Sequence, residues 1–124
     1  MTVTAKTVLI AEDEKRINNL ICARLKQEGY LVIQAFDGEE ALQELLQGKA
    51  DLALLNMMMP HLDGSQVLKR LRNAGRELPV IIFSVKSWES DLRDSLFLGA
   101  KDYIVKPFEL DDMISRVNKL ITEQ

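Results

Sequence analysis

The amino-acid sequence predicts an α/β fold in which a five-stranded parallel sheet carries helices on both faces. Five short apolar runs recur along the chain, and after each run the apolar residues return at helical spacing. The runs are continuously apolar and do not alternate with polar residues, which is typical of parallel strands covered on both faces. Regular alternation of strands and helices favours right-handed crossovers and a doubly wound sheet.

The apolar runs are the predicted strands. In chain order they are Val8–Ala11, Leu31–Ala35, Leu52–Leu55, Val80–Phe83 and Tyr103–Val105. Each is short enough for a strand and is separated from the next by more residues than a turn requires. The gaps therefore have room for a helix each.

The helices are predicted from one apolar stripe in each gap. The five stripes are Ile17, Leu20, Ile21 and Leu25; Ala41, Leu42, Leu45 and Leu46; Val67, Leu68 and Leu71; Leu92, Leu96 and Phe97; and Leu110, Met113, Ile114, Val117, Leu120 and Ile121. Asp37 precedes the second stripe as a predicted N-cap. A glycine follows each of the first four stripes, as expected at helix ends. Cys22 falls off the first stripe.

Size and composition predict one domain over residues 1–124 of a cytoplasmic protein. A chain of 124 residues has the length of a single domain. Its net charge of −3 argues against a nucleic-acid-binding surface, which is usually positively charged. The single cysteine fits a reducing compartment. The apolar start VLIA is too short for a membrane span and is followed by three acids, so no membrane association is expected.

Polar side chains follow four of the predicted strands. Glu12 and Asp13 follow the first, Asn56 the third, Ser84 the fourth and Lys106 the fifth. The carboxyl ends of parallel strands meet at one edge, where open α/β sheets bind ligands. Adjacent carboxylates are costly without a cation, and Mg²⁺ prefers oxygen ligands. Together with an ammonium group and a hydroxyl, such a cation suits a phosphoryl group, and a carboxylate at position 56 would complete the site as acceptor.

The ordered motifs AEDE, LLNMMMPHLDG, IIFSV and GAKDYIVKPF resemble the receiver domain of bacterial two-component response regulators. The resemblance extends over nearly the whole chain and keeps the motifs in the family's order. It implies a flavodoxin-like, CheY-like (βα)5 fold with strand order 2-1-3-4-5. It also implies a phosphorylation-dependent switch in signal transduction, not an enzyme.

The resemblance also implies the metal ligands. Glu12 and Asp13 take this role through their carboxylates, Met58 through its backbone carbonyl, and Asn56 stands at the remaining ligand position. The implied cofactor is therefore Mg²⁺.

Other positions are implied to handle the phosphoryl group and report its arrival. Ser84 and Lys106 would bind the phosphoryl group, and Ser84 with Tyr103 would form the switch. The bond between Lys106 and Pro107 is expected to be cis, an isomer that costs little before proline.

Asn56 departs from the family's pattern. It occupies the phosphoacceptor position, where an active receiver has an aspartate that forms an acyl phosphate. The amide is a poor nucleophile and removes one negative charge, which should weaken Mg²⁺ binding and leave Lys106 a hydrogen bond in place of an ion pair. We therefore expect no phosphorylation at position 56. A deliberate Asp-to-Asn substitution and a natural pseudo-receiver both remain open as origins.

The resemblance further implies partners. These are a sensor histidine kinase or phosphotransfer protein, and an effector domain or output partner reached through the last two helices. Arg93, Asp102 and Arg116 are spaced as in receivers that form homodimers through paired salt bridges. The chain stops at Gln124, where the linker of a longer response regulator would begin, which leaves open that the receiver domain is excised from a longer protein.

Two alternative functions stay open. One is an interaction module that binds its partner independently of phosphate. The other is a Mg²⁺-dependent phosphatase, or a flavin- or nucleotide-binding enzyme, on the same fold. The first strand is followed by acids and not by a glycine-rich loop, and position 56 lacks a nucleophile, which argues against the enzyme.

Overall fold

The computed structural model describes residues 5–84, 96 and 99–123. Its sheet holds five parallel strands in the order β2-β1-β3-β4-β5, as the flavodoxin-like fold class predicted. The strands are β1 (Thr7–Ala11), β2 (Leu31–Ala35), β3 (Leu52–Asn56), β4 (Val80–Ser84) and β5 (Asp102–Val105). The described helices are α1 (Lys15–Gln27), α2 (Gly38–Leu46), α3 (Gly64–Asn73) and the C-terminal helix (Leu110–Thr122). Of the predicted fourth stripe, Leu92 and Phe97 lie outside the described residues.

All five predicted strands are present, and four of them are one residue longer than predicted. Thr7 and Asp102 are added at the start of β1 and β5, and Asn56 and Ser84 at the end of β3 and β4. The last two additions matter for the site. They place an amide and a hydroxyl inside the ladder, where pairing with neighbouring strands holds the backbone in position.

The sheet has a packed core on each face. Successive strand residues point to opposite faces, so Leu9 and Leu55 join the core under α2 and α3, while Ile10 and Leu54 join the core under α1 and the C-terminal helix. All four side chains are completely buried. Burial on both faces explains why β1 and β3 are continuously apolar.

The buried face of α1 differs from the predicted stripe. Asn18, Ile21, Cys22 and Leu25 are buried, whereas Leu20, which the stripe included, is 60 % exposed. The prediction was wrong for Leu20, and also for Cys22, which was left off the stripe and is 5 % exposed, because the buried face was assigned from the strongly apolar residues alone. A polar residue, Asn18, takes a core position here, since its amide is fully hydrogen-bonded there.

The loops at the carboxyl edge are held by caps and by close approaches of the backbone. Asp37 caps α2, as predicted, by accepting from the backbone N–H of Glu40 at 2.8 Å. Asp63 and Gln66 form a reciprocal capping box at the start of α3. Gly64 lies so near the end of β3 that a Cβ atom there would sit 2.7 Å from the carbonyl oxygen of Asn56. These contacts fix the backbone around the strand ends.

Within the described part of the chain, no helix has the length and apolarity needed to cross a membrane.

Candidate functional site

Glu12 and Asn56 meet at the carboxyl edge of the sheet. Glu12 follows β1 and Asn56 ends β3, and these strands are neighbours, with Ala11 paired to Leu55. The Glu12 residue is 1 % exposed and Asn56 is 5 % exposed. Asn56 Nδ2 donates a hydrogen bond to Glu12 Oε2. A carboxylate and an amide therefore share a buried pocket.

Three oxygen acceptors surround the amide nitrogen of Asn56. Besides Glu12 Oε2, they are the carbonyl oxygen of Met58 at 3.1 Å and Asp13 Oδ1 at 3.4 Å. An amide nitrogen carries two hydrogens, so Asp13, the most distant acceptor, is the weakest of the three. The side chain of Met58 points to solvent, with the residue 61 % exposed, and only its backbone joins the site.

Lys106 follows β5 and forms an ion pair with Glu12. Its Nζ lies 3.2 Å from Glu12 Oε1, and its side chain is 15 % exposed. The ammonium also lies 5.2 Å from the centre of the Phe83 ring, within the range of a cation–π contact. The prediction that the amide at position 56 would leave Lys106 only a hydrogen bond was therefore wrong. Glu12 supplies the carboxylate that position 56 lacks.

Burial controls the electrostatics of Glu12. Loss of solvent raises the pKa of its carboxyl above the ordinary value, and Lys106 opposes the rise by attraction and by its hydrogen bond. The negative charge of Asp13 adds to the rise, and the hydrogen bond from Asn56 lowers the pKa slightly. A buried acid with a shifted pKa and a specific cationic partner is typical of a functional site.

Ser84 and Tyr103 lie on the next strands along the edge. Ser84 ends β4, is 1 % exposed and follows Phe83, the residue that pairs with Asn56. Its carbonyl oxygen accepts from the backbone N–H of Lys106 at 2.5 Å. Tyr103, on β5, packs its ring against the core under α2 and α3. Their predicted roles in phosphoryl binding and switching stay predictions.

The bond between Lys106 and Pro107 is cis, as predicted.

The predicted interface residues are partly paired within the chain. Arg116 Nη1 lies 2.6 Å from Asp102 Oδ1, and Arg116 Nε lies 3.1 Å from Asp112 Oδ2. The hydrogen bond with Asp102 raises the pKa of the Arg116 guanidinium. Arg93 lies outside the described residues. A role of these charges between two protomers stays a prediction.

Sequence reasoning missed Asn18 as a member of the site. Its Nδ2 donates to the carbonyl oxygens of Glu12 and Ala35 at 3.0 and 2.9 Å, and its Oδ1 accepts from Gln34 Nε2 at 2.9 Å. The side chain thus ties the ends of β1 and β2 together and holds the backbone of Glu12. The sequence carried a signal, because Asn18 stands three residues before Ile21 and therefore shares the helical face of a stripe residue.

The implied Mg²⁺ ligands match the ion only in part. Carboxylates of Glu12 and Asp13 and the carbonyl of Met58 are the oxygen ligands that Mg²⁺ prefers. The point on which they converge, however, is occupied by the amide nitrogen of Asn56, whose hydrogens repel a cation. Among the described residues, no group of three or more His, Cys, Asp or Glu side chains is placed to hold a metal. As arranged, these residues do not fit a bound metal ion.

Two solved structures with the same fold belong to response regulators. The receiver domain of the Francisella response regulator 1452 is 37 % identical, with a TM-score of 0.90 over 95 % of this chain and 98 % of that one. The response regulator TrrA from Thermotoga maritima, solved in complex with Mg²⁺-BeF, is 34 % identical, with a TM-score of 0.83 over 93 % of this chain and 98 % of that one. The fold and the polar strand ends therefore define a receiver domain.

The family follows from the sequence match. A model of the response regulator receiver domain matches residues 8–118. The chain belongs to this family, whose members are the receiver domains of two-component signalling proteins. The transcriptional regulatory protein DltR of Streptococcus agalactiae is 47 % identical over 117 residues, which are 94 % of this chain and 52 % of DltR. The chain thus spans about half the length of this relative.

Proposed function

We propose that this chain is a receiver domain whose phosphoacceptor position is inactive and whose partner binding is independent of phosphate. The observation that supports it is the position of Asn56. Its amide lies buried beside Glu12 and within 3.4 Å of Asp13, at the end of the central strand, where the family's acceptor aspartate is expected.

The chemistry of the amide supports the inactive state. Formation of an acyl phosphate needs a carboxylate oxygen that attacks phosphorus. The amide of Asn56 is neutral, and its N–H groups are already committed to Glu12 and the carbonyl of Met58. Ser84 and Lys106 would still be placed to bind a phosphoryl group, but position 56 could not form the bond.

An aspartate at position 56 would restore the family's chemistry. Its carboxylate would complete an oxygen set with Glu12, Asp13 and the carbonyl of Met58, the set that Mg²⁺ prefers. The response regulator TrrA, 34 % identical to this chain, was solved in complex with Mg²⁺-BeF, which supports the same ion for the Asn56→Asp form. In that form Ser84 and Tyr103 would shift the population toward the output state.

The length of its relatives supports a longer parent protein. DltR carries the matched region in 52 % of its length and is named a transcriptional regulatory protein. Residues 1–124 would then form the receiver domain of a regulator in the cytoplasm, with a histidine kinase or phosphotransfer protein upstream and an effector domain downstream. The last two predicted helices would carry the output contact, and Asp102 with Arg116 would contribute to a homodimer.

A phosphorylation assay tests the proposed function. Purified chain and the Asn56→Asp variant are incubated with a small phosphodonor and Mg²⁺, and intact mass counts the phosphoryl groups added. We expect one group on Asn56→Asp and none on the unchanged chain. Asn73→Asp, which places the same carboxylate at the exposed end of α3, is the matched control and should gain none. The proposal fails if Asn56→Asp gains no phosphoryl group or if the unchanged chain gains as much.

Two origins of Asn56 remain to be separated, a deliberate Asp-to-Asn substitution and a natural pseudo-receiver. The codon at position 56 of the source gene decides between them. An aspartate codon would mean that the natural domain is a phosphorylated switch and that this chain is its locked form.

A further inference from the structure

We propose that the Asn56 amide and the Lys106 ammonium together take the place of the metal ion, so that this domain closes its acidic pocket without Mg²⁺ and excludes it. This inference rests on the proposed function and adds to it a cause for weak metal binding. The cause is a hydrogen-bond donor inside the protein that competes with the ion for the pocket oxygens. It acts in addition to the loss of one negative charge.

Both oxygens of Glu12 already have partners from the protein itself. Oε1 lies 3.2 Å from Lys106 Nζ, and Oε2 accepts from Asn56 Nδ2. With the residue 1 % exposed, water contributes little to its solvation. A buried carboxylate persists only when it is paired and hydrogen-bonded, and here two protein groups meet that need.

The Asn56 amide also lies close to the other oxygens of the pocket. Its nitrogen lies 3.1 Å from the carbonyl oxygen of Met58 and 3.4 Å from Asp13 Oδ1. The positive ends of its N–H bonds thus point to the centre of the oxygen set. A cation could enter this centre only after the amide had turned and given up its bond to Glu12.

The opposite orientation of the amide is disfavoured by the same contacts as long as Glu12 is ionised. Turning it would place its carbonyl oxygen against Glu12 Oε2, so that two oxygen acceptors would face each other in hydrogen-bond contact. Glu12 thereby fixes which end of Asn56 faces the pocket. The blocking orientation belongs to the ground state of this sequence.

Two explanations of weak metal binding predict opposite effects of Asn56→Ala. If the amide were a ligand through its oxygen, removing it would weaken metal binding further. If the amide is a competing donor, removing it frees Glu12 Oε2 and the carbonyl of Met58, and metal binding becomes tighter. The charge of the pocket is the same in both forms, since alanine and asparagine are neutral.

Mn²⁺ is a suitable probe, because free and bound Mn²⁺ are separated by electron paramagnetic resonance. We expect the affinity order Asn56→Asp, then Asn56→Ala, then the unchanged chain. The gain of Asn56→Ala over the unchanged chain should be about tenfold, which corresponds to about 1.4 kcal/mol. Asn73→Ala removes an exposed amide from the end of α3 and should leave the affinity unchanged. Equal or weaker binding by Asn56→Ala than by the unchanged chain overturns the proposal.

A second measurement uses the unchanged chain and does not depend on the folding of a variant. In metal-free buffer with a chelator, the side-chain NH₂ group of Asn56 should exchange its hydrogens at least about tenfold more slowly than that of Asn73, because it is buried and hydrogen-bonded to Glu12. Equal exchange rates would overturn the proposal. Phosphorylation of Asn56→Asp is independent of both results, so a failure here is distinct from a failure of the proposed function.

Discussion

Truncation of Asn18 tests how the backbone of Glu12 is held. In Asn18→Ala the two bonds from Nδ2 to the carbonyls of Glu12 and Ala35, and the bond from Gln34, are lost. Asn18 is completely buried, so water does not readily replace the amide. The neighbouring Asn19 is exposed and makes one bond with Gln34, at 2.8 Å, which makes Asn19→Ala a matched control.

The expected loss in the free energy of unfolding follows from the acceptors that remain without a donor in Asn18→Ala. The carbonyl of Ala35 keeps the bond from the backbone N–H of Glu12 at 3.1 Å, and Gln34 keeps its bond to Asn19. The carbonyl of Glu12 loses the side-chain donor that the structure gives it. Leaving a buried acceptor unsatisfied costs about 1–3 kcal/mol, so we expect Asn18→Ala to lower the free energy of unfolding by about 2 kcal/mol.

Urea denaturation of both variants measures this difference. The midpoint should fall for Asn18→Ala with an unchanged slope, since the same surface is exposed on unfolding. Asn19→Ala should stay within about 0.5 kcal/mol of the unchanged chain, as is usual for exposed positions. If the two variants lose the same stability, or if Asn18→Ala loses less than about 0.5 kcal/mol, Asn18 does not hold the strand ends as argued.

Two further predictions concern a close approach and a titrating group. Gly64→Ala should lower the free energy of unfolding by about 1–3 kcal/mol in urea, because a Cβ there lies 2.7 Å from the carbonyl oxygen of Asn56 and overpacking is costly; unchanged stability would contradict the contact. Burial and the nearby Glu28 raise the pKa of Tyr30 above its ordinary 10.0, so the folded chain keeps this proton longer than the unfolded chain. The resulting stability is present below pH 10 and is lost as the pH rises through the raised pKa. Stability should therefore fall more steeply above about pH 10 than in Tyr30→Phe, and parallel pH profiles would count against the shift.

The strands were predictable because each is buried on both faces. A run such as Leu52–Leu55 has no polar residue and is too short for a helix, and the structure has β3 at that place. The strand order could not be predicted from the apolar pattern. Alternation of strands and helices permits more than one order, and the order 2-1-3-4-5 came from the resemblance to receivers. The structure confirms it.

The buried face of α1 shows what apolar periodicity misses. The stripe is assigned from hydrophobicity alone, whereas the buried face of a helix can also contain a polar residue whose hydrogen bonds are complete. Asn18 meets that condition only because Glu12, Ala35 and Gln34 come together around it. Ala35 and Gln34 lie 17 and 16 residues from Asn18 in the chain, so the apolar pattern did not place Asn18 in the core.

The candidate site was predictable in its members and not in its pairing. That Glu12, Asn56 and Lys106 would lie near one another followed from the common edge of parallel strands. Which of them would pair depends on differences in distance of a few tenths of an ångström. Such differences cannot be inferred from the residue types alone. The lysine pairs with Glu12 at 3.2 Å, and the amide turns its nitrogen to the other oxygen of the same carboxylate.

A single carboxylate thus links the two consequences of asparagine at position 56. An amide cannot act as the nucleophile, and it also supplies a donor to Glu12 Oε2, while Lys106 pairs with the other oxygen of the same buried carboxylate. Two carboxylates beside one ammonium leave the pocket with a charge of −1, against −2 with aspartate at position 56. A pocket with less negative charge and an internal donor is stabilised less by binding Mg²⁺. If asparagine at position 56 prevents phosphorylation, as proposed, the same amide also stabilises the metal-free form, and we expect both effects in any variant of position 56 that carries an amide.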